Sequence, residues 1–139
     1  NMYSVYGDSV LDPFWGTGTT SVAAMVAGRD SVGVDRDPEI VGAFDERAGA
    51  VPPLSRSVVR ERLDDHREFV REARENGETL DYDAEHYDFP VRTRQERGIR
   101  FYAVEDVRSV EDVGTTEDSG SVEEEYRVGY RPVEADEKL

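Results

Sequence analysis

Apolar positions change their spacing along this chain, and the changes mark its elements. Val10 and Leu11 form a short apolar run ahead of Asp12-Pro13 and read as a strand. Ser21 to Arg29 is alanine-rich and reads as a helix, with Gly28 placed to end it. Ser31 to Asp35 is a short β-rich run closing on an acid. Asp37-Pro38-Glu39 then reads as N-cap, first-turn proline and first-turn acid of a second helix. Residues 9–49 therefore predict β-α-β-α. From Ser55 to Asn76 the spacing is helical. Val59, Leu63, His66, Val70 and Ala73 share one face, Phe69 lies beside it, Ser55 or Ser57 caps the start and Gly77 stops the end. Pro52-Pro53 reads as a helix stop and linker. Tyr82 to Pro90 reads as an irregular connection. Ile99 to Val107 and Val122 to Tyr130 read as an antiparallel pair of strands, with Arg108 to Ser121 as a mobile tip. The tail after Pro132 is expected to fray.

The first turn carries the candidate chemistry. Gly16 and Gly18 stand between a strand and the helix that Thr19 and Thr20 open. Glycines allow close backbone approach, and the first N–H groups of a helix have no partner in its own ladder. In nucleoside-binding α/β folds, an acid ~20 residues past such a turn takes the ribose hydroxyls, and Asp35 lies near that distance. Glycines alone also fit a tight turn with no ligand. The Gly-x-Gly-x-x-Gly spacing of nicotinamide dinucleotide sites is absent, because position 21 is Ser21.

Gly7-Asp8-Ser9-Val10-Leu11-Asp12-Pro13-Phe14, followed by Gly16-Thr17-Gly18-Thr19-Thr20, resembles the S-adenosylmethionine-binding segment of the DNA amino-methyltransferases, which methylate N6 of adenine or N4 of cytosine. The resemblance covers Gly7 to Ala48 and implies a role for each matching residue. Phe14, Gly16 and Gly18 would shape the methionine end of the cofactor pocket, with Asp12 near its ammonium group. Thr19 and Thr20 would donate at the helix start. Asp35 would hold the ribose, and Asp37 would lie close to the adenine ring. Trp15 stands where the family has a small residue, and either lines the pocket mouth or packs.

The family's second motif, Asp/Asn/Ser-Pro-Pro-aromatic, takes hydrogen bonds from the target amino group and stacks on the flipped base. It does not occur here. Val51-Pro52-Pro53-Leu54 has apolar flanks, and Asp88-Phe89-Pro90 has the wrong order. The resemblance thus implies a C-terminal, cofactor-binding part with no catalytic residue of its own, the catalytic half being lost or encoded separately. Asn1 ahead of Met2 reads as a vector remnant before a natural start.

Length and charge bound the rest. At 139 residues the chain is one ordinary domain or two small pieces. The expected organisation is a half-Rossmann cofactor unit at 1–50 and a helix-plus-hairpin extension at 51–139. The first is too small to bury a self-sufficient core. No run suits a membrane span and no secretory signal stands out. The absence of cysteine fits the cytoplasm, and His66 and His86 make no metal site. The formal net charge is -15, and Lys138 is the sole lysine, a style similar to that of salt-loving microbes. So acidic a chain should repel DNA at ordinary ionic strength. In the long helix the arginines mingle with acids, as a salt-bridging face or a nucleic-acid surface. Arg92, Arg94, Arg97 and Arg100 form the densest basic patch, with Arg92 and Arg94 alternating as on an exposed strand or a phosphate-binding one. Tyr102, Tyr126 and Tyr130 suit cross-strand packing or base stacking.

The fold class expected is α/β: a partial Rossmann-like unit (β-α-β-α), a long helix and an antiparallel hairpin. The function expected is the S-adenosylmethionine-binding portion of a DNA adenine-N6 or cytosine-N4 methyltransferase. It would reach DNA through the complete enzyme, with a second chain as candidate source of the catalytic motif and a homodimer through the sheet edge as a further expectation. The alternatives are a non-catalytic binding or assembly module and part of an RNA amino-methyltransferase.

Overall fold

The computed structural model describes residues 4–110 and 123–135. The chain divides into two compact units, residues 1–55 with 104–130, and residues 56–103 with 131–139.

In the first unit, strand β1 (Ser9–Asp12), helix α1 (Thr19–Val26) and strand β2 (Asp30–Gly33) follow one another, and β1 and β2 pair in parallel. Parallel neighbours need a crossover, and α1 supplies it. The register sets Leu11 opposite Val32 and Asp12 opposite Gly33. At the end of α1, Gly28 N donates to Met25 O (3.3 Å) and Arg29 N to Ala24 O (2.9 Å), so the last carbonyls are satisfied where the glycine stops the helix. Helices α2 (Pro38–Gly42) and α3 (Phe44–Gly49) follow, and Asp37 caps α2 by accepting from Glu39 N at 3.0 Å. Met25, Phe44, Ala48, Val51 and Val104 form the core, with Trp15, Tyr126 and Tyr130 packed on it. The Tyr130 hydroxyl donates to the Met25 carbonyl at 2.7 Å. Burial pushes its pKa up to about 12, so it remains a donor at neutral pH.

Helix α4 (Val51–Glu75) begins four residues earlier than its capping signals suggested. Pro52 and Pro53 follow the end of α3, as a helix stop would, but they are no linker: they lie in the first turn of α4. First-turn N–H groups have no intrahelical acceptor, so the missing donors cost nothing there. Ser55 consequently sits inside the helix, fully buried, and its Oγ accepts from Val104 N at 3.0 Å instead of capping. At the far end, Gly77 N donates to Arg74 O and Glu78 N to Ala73 O, closing α4 where the glycine predicted.

The second unit is built on the apolar stripe of α4. Val59, Leu63 and Val70 pack with Tyr87, Phe89, Val91, Ala103 and Val133. His66 is a boundary packing residue: its Nε2 donates to Pro90 O at 3.0 Å, and its ring lies 4.2 Å from that of Phe89. Most of the segment from Tyr82 to Pro90 is irregular, as expected. Its ends pair as short antiparallel strands β3 (Tyr82–Asp83) and β4 (Pro90–Val91). Arg92 and Arg94 do not alternate on a strand. Residues Arg94–Gly98 form a 3-10 helix capped by Thr93 and Glu96, and Glu96 accepts from Thr93 N at 2.8 Å. That local bond holds the Glu96 carboxyl below its ordinary pKa.

Strands β5 (Tyr102–Ser109) and β6 (Tyr126–Pro132) pair with each other. Val110 N bonds Glu125 O (2.9 Å) at one end and Val133 N bonds Phe101 O (3.0 Å) at the other, so the pair is antiparallel. Most of the tip expected between them lies outside the described residues. The tail does not fray at Pro132. Val133 is 1% exposed, and its carbonyl accepts from the Tyr87 hydroxyl at 3.1 Å. That hydroxyl also accepts from Phe101 N at 2.8 Å. Removing it strands a buried carbonyl and an N–H together, so Tyr87→Phe is expected to cost about 2 kcal/mol in urea unfolding. A loss below about 0.5 kcal/mol would show that water replaces both bonds. Among the described residues, no helix is long and apolar enough to cross a membrane.

Candidate functional site

The turn from β1 into α1 is stitched to the end of β2. Val34 N donates to Asp12 O (2.9 Å) and Trp15 N to Val34 O (3.0 Å), which carries the parallel pairing past the ends of both strands. Gly18 N then donates to Trp15 O at 3.0 Å and Gly18 enters α1 as its N-cap with φ +76°. A Cβ at Gly18 would overlap the Phe44 ring and lie 2.8 Å from Trp15 Cζ2. The left-handed backbone and the close approach of Phe44 both require glycine here. Gly33 is required by space alone, because the Trp15 indole lies directly over its Cα.

Trp15 packs. Its ring centroid is 4.8 Å from that of Phe44, and its Nε1 donates to the buried Ser21 Oγ at 2.8 Å. Ser31 Oγ donates to the same oxygen at 3.1 Å. Neither serine, nor Phe44, was a candidate from the sequence. The contacts join residues 6 to 29 positions apart, and no local pattern announces them.

Asp35 is brought to the turn. Its Oδ2 accepts from Gly16 N at 2.8 Å and its Oδ1 from Asp37 N at 3.0 Å. These bonds, that of Asp37 first and that of Gly16 second, hold the Asp35 carboxyl below its ordinary pKa. A carboxylate offers about four lone-pair sites, so acceptor capacity remains for a hydroxyl. Asp12 is engaged in the same manner. Its Oδ1 accepts from Phe14 N at 3.0 Å and its Oδ2 from the Thr20 hydroxyl at 2.6 Å. The Thr19 hydroxyl accepts from Arg47 at 3.5 Å, a cation the sequence reading did not include. Asp37 is turned to its own helix as N-cap. Phe14 is 89% exposed beside the turn. Over Gly16 the space is open: an added Cβ would meet only Phe14 O, at 4.0 Å.

Two carboxylates, an exposed aromatic ring and the first-turn N–H groups of α1 thus surround one open glycine turn. The arrangement can accept hydroxyl donors at Asp35, take a cation near Asp12 and let a ligand approach the backbone at Gly16. All eight candidate residues lie at the end of β1, on this turn, on the first turn of α1 or just past β2.

One face of the β1–β2 pair is bare. Leu11 is 68% exposed, its register partner Val32 60% and Val34 53%. Parallel sheets are normally covered on both faces.

Comparison with known proteins points the same way. Residues 1–46 match the N6/N4 methyltransferase family, described as DNA methylase. Over 102 residues, 73% of its length, the chain is 48% identical to the Type II methyltransferase M.MthZI of Methanothermobacter thermautotrophicus, of which the match covers 27%. It is 46% identical over 48 residues to the Type II methyltransferase M.MjaI of Methanocaldococcus jannaschii (34% of this chain, 16% of that one). Over 46 residues it is 39% identical to the Type II methyltransferase M.HinfI of Haemophilus influenzae (33% and 13%). The chain therefore spans about a quarter of the first relative and less of the others. A 102-residue stretch of a 139-residue chain has to include residues 38–102, so the likeness to the first relative extends beyond Ala48 and runs through α4. No solved structure matches the chain. By its N-terminal segment the chain is similar to the N6/N4 family of DNA methylases, and the relatives it resembles are Type II methyltransferases.

Proposed function

We propose that residues 1–50 bind S-adenosylmethionine and orient it for methyl transfer to an amino nitrogen of a DNA base, adenine N6 or cytosine N4. The observation that carries this reading is the Asp35 carboxylate, drawn onto Gly16 N at an open glycine turn ahead of a helix N-terminus. When bound, the cofactor supplies a methyl group on a positively charged sulfur. Asp35 accepts from the ribose hydroxyls, with its backbone bonds keeping it ionised. Gly16 admits the methionine end close to the backbone, beside the exposed Phe14 ring, and Gly18 shapes the turn beneath it. Asp12 offers its charge to the ammonium group, while Thr20 holds that carboxylate in place. Thr19 and Thr20 present the N–H groups of the first turn, and Asp37 lies toward the adenine ring. Holding the reactant in place converts an encounter between molecules into a step within one complex.

The 139 residues contain no Asp/Asn/Ser-Pro-Pro-aromatic sequence, so the groups that contact the target base come from other polypeptide. The bare face at Leu11, Val32 and Val34 is where that polypeptide would cover the sheet, and the burial of these side chains would drive it there. DNA is the substrate of the completed assembly.

Calorimetric titration of S-adenosylmethionine and S-adenosylhomocysteine into the full chain in molar potassium chloride tests the reading. Saturable one-to-one binding of both is expected. High salt shortens the screening length to ~3 Å and relieves self-repulsion in a chain of net charge -15. No binding heat from a chain that circular dichroism shows to be folded would refute it.

A further inference from the structure

Helix α4 separates its charges in a way its sequence conceals. At about 100° per residue, Arg56, Arg60, Arg67, Arg71 and Arg74 fall within a sector of roughly 60° along one side of the helix. The six acids from Glu61 to Glu75 occupy the adjoining sector of about 100°, and the buried Val59, Leu63, Val70 and Ala73 lie on the other flank. Arg62 alone stands off the stripe. The arginines and acids that alternate in sequence are therefore two separate rows in space. The arginine row is about 27 Å long from Arg56 to Arg74, at ~1.5 Å per residue.

The row is accessible. Arg60, Arg67, Arg71 and Arg74 are exposed, and Arg56 partly so. Arg67 reaches back to Asp64 (3.3 Å) and Arg71 to Glu68 (2.8 Å), both pairs lying largely in solvent. Such pairs are worth little and exchange readily for a better anion. Arg56, Arg60 and Arg74 have no ion-pair partner among the described residues. Arg67, Val70 and Arg74 also wall a groove of about 240 Å³ whose other side is Asp88, Phe89 and Pro90. Asp88 repels an anion from that far wall, which leaves the helix side as the favourable one. The chain as a whole is acidic, yet ten of its 17 basic residues lie between 56 and 103.

We propose that the arginine row of α4 docks the sugar–phosphate backbone of double-stranded DNA. The row repeats its guanidinium forks along one side of the helix at steps of about 4.5 to 10.5 Å, and each fork can bind one phosphate of a duplex strand through two bonds. The contacts read no sequence; they hold the duplex in register while other groups reach the base. The acid row beside them limits the footprint to one strand's edge. The inference rests on the DNA substrate proposed above, but not on cofactor binding by residues 1–50.

The test is fluorescence anisotropy of a labelled duplex with the full chain over a potassium chloride series. It compares the unaltered chain with a triple Arg67→Gln, Arg71→Gln, Arg74→Gln variant. The slope of log affinity against log salt is expected to fall in magnitude by about three, near 0.9 per lost phosphate contact. Affinity at 0.1 M salt should drop at least about tenfold, the order set by losing three counterion-releasing contacts. The corresponding triple Arg→Lys variant keeps the charge, so it should retain the slope while binding more weakly. Circular dichroism and cofactor titration should be the same for all three chains. Unchanged slope and affinity in the Gln variant, or no duplex binding by the unaltered chain, would overturn the proposal. So would polyglutamate of matched charge competing as strongly as unlabelled duplex, because the row would then serve an acidic protein. If the slope changes as expected but no chain binds S-adenosylmethionine, the cofactor reading fails and the docking row stands.

Discussion

Asp35→Ala is expected to weaken S-adenosylmethionine binding about 100-fold, since two hydrogen bonds to a charged acceptor are lost and each is worth ~10-fold or more. Asp35 carries two duties in the structure, and the variant removes both. Its carboxylate ties Gly16 N and Asp37 N together, and so sets the shape of the turn. Its remaining lone pairs are the ones assigned to the ribose. A 2′-deoxy analogue of the cofactor separates the duties. If Asp35 holds the ribose, the native chain prefers the ribo form and Asp35→Ala erases that preference. Equal losses for both forms would reduce Asp35 to a clamp on the turn. Titration adds a pH arm. The folded pKa of Asp35 lies below its ordinary 3.8, so its contribution is complete above that value and is lost only as pH falls through the lower folded one. Cofactor affinity should therefore be flat from about pH 7, below the titration of the cofactor's own amino group, to about pH 5. A midpoint near pH 6 would assign the dependence to another group.

Gly18→Ala is expected to cost about 3 kcal/mol of stability, combining ~1–2 kcal/mol for a left-handed non-glycine residue with an overpacking cost of similar size. The added methyl would overlap Phe44, which is 2% exposed in the core of the first unit, and crowd Trp15. Neither ring has room to withdraw, because Trp15 is pinned through Ser21 and Phe44 also packs edge-on to Tyr126 at 5.3 Å. The loss should appear in urea unfolding in molar potassium chloride as a lower midpoint at unchanged slope. Gly16→Ala is the control, since the space over Gly16 is open and only the backbone conformation opposes the change. Gly18 and Gly16 variants of equal stability would mean that Phe44 and Trp15 yield, and that the turn is not braced from below.

Legibility in the sequence followed the range of each interaction. The Asp37 cap, the glycine stops at Gly28 and Gly77, and the apolar stripe of α4 depend on neighbours within a turn or two, and local pattern showed them. The glycine turn was legible as well, because residues 7–20 form one contiguous motif. Pro52-Pro53 marked the end of α3 but misled as a linker, because proline also suits the first turn of a helix that is starting. The segment 92–98 misled because an alternation of two arginines is weaker than the Thr93–Glu96 cap, which forms over three residues.

By itself the sequence determined the likeness of residues 1–46 to the N6/N4 methylases, the order of β1, α1 and β2, and the turn on which the candidate cofactor residues stand. These rest on contiguous residues whose backbone preferences and spacing act locally. Only the tertiary structure decided what braces that turn and what the arginines of α4 face. Phe44 under Gly18, Arg47 at Thr19, Ser55 on Val104 and Val133 beneath Tyr87 join residues 26 to 49 positions apart. The one-dimensional order of residues does not encode such distances, because they are set by how elements pack once their apolar faces are buried. The arginine row is intermediate: its spacing was present in the sequence, but the winding of α4 from Val51 to Glu75 turned mingled charges into two rows.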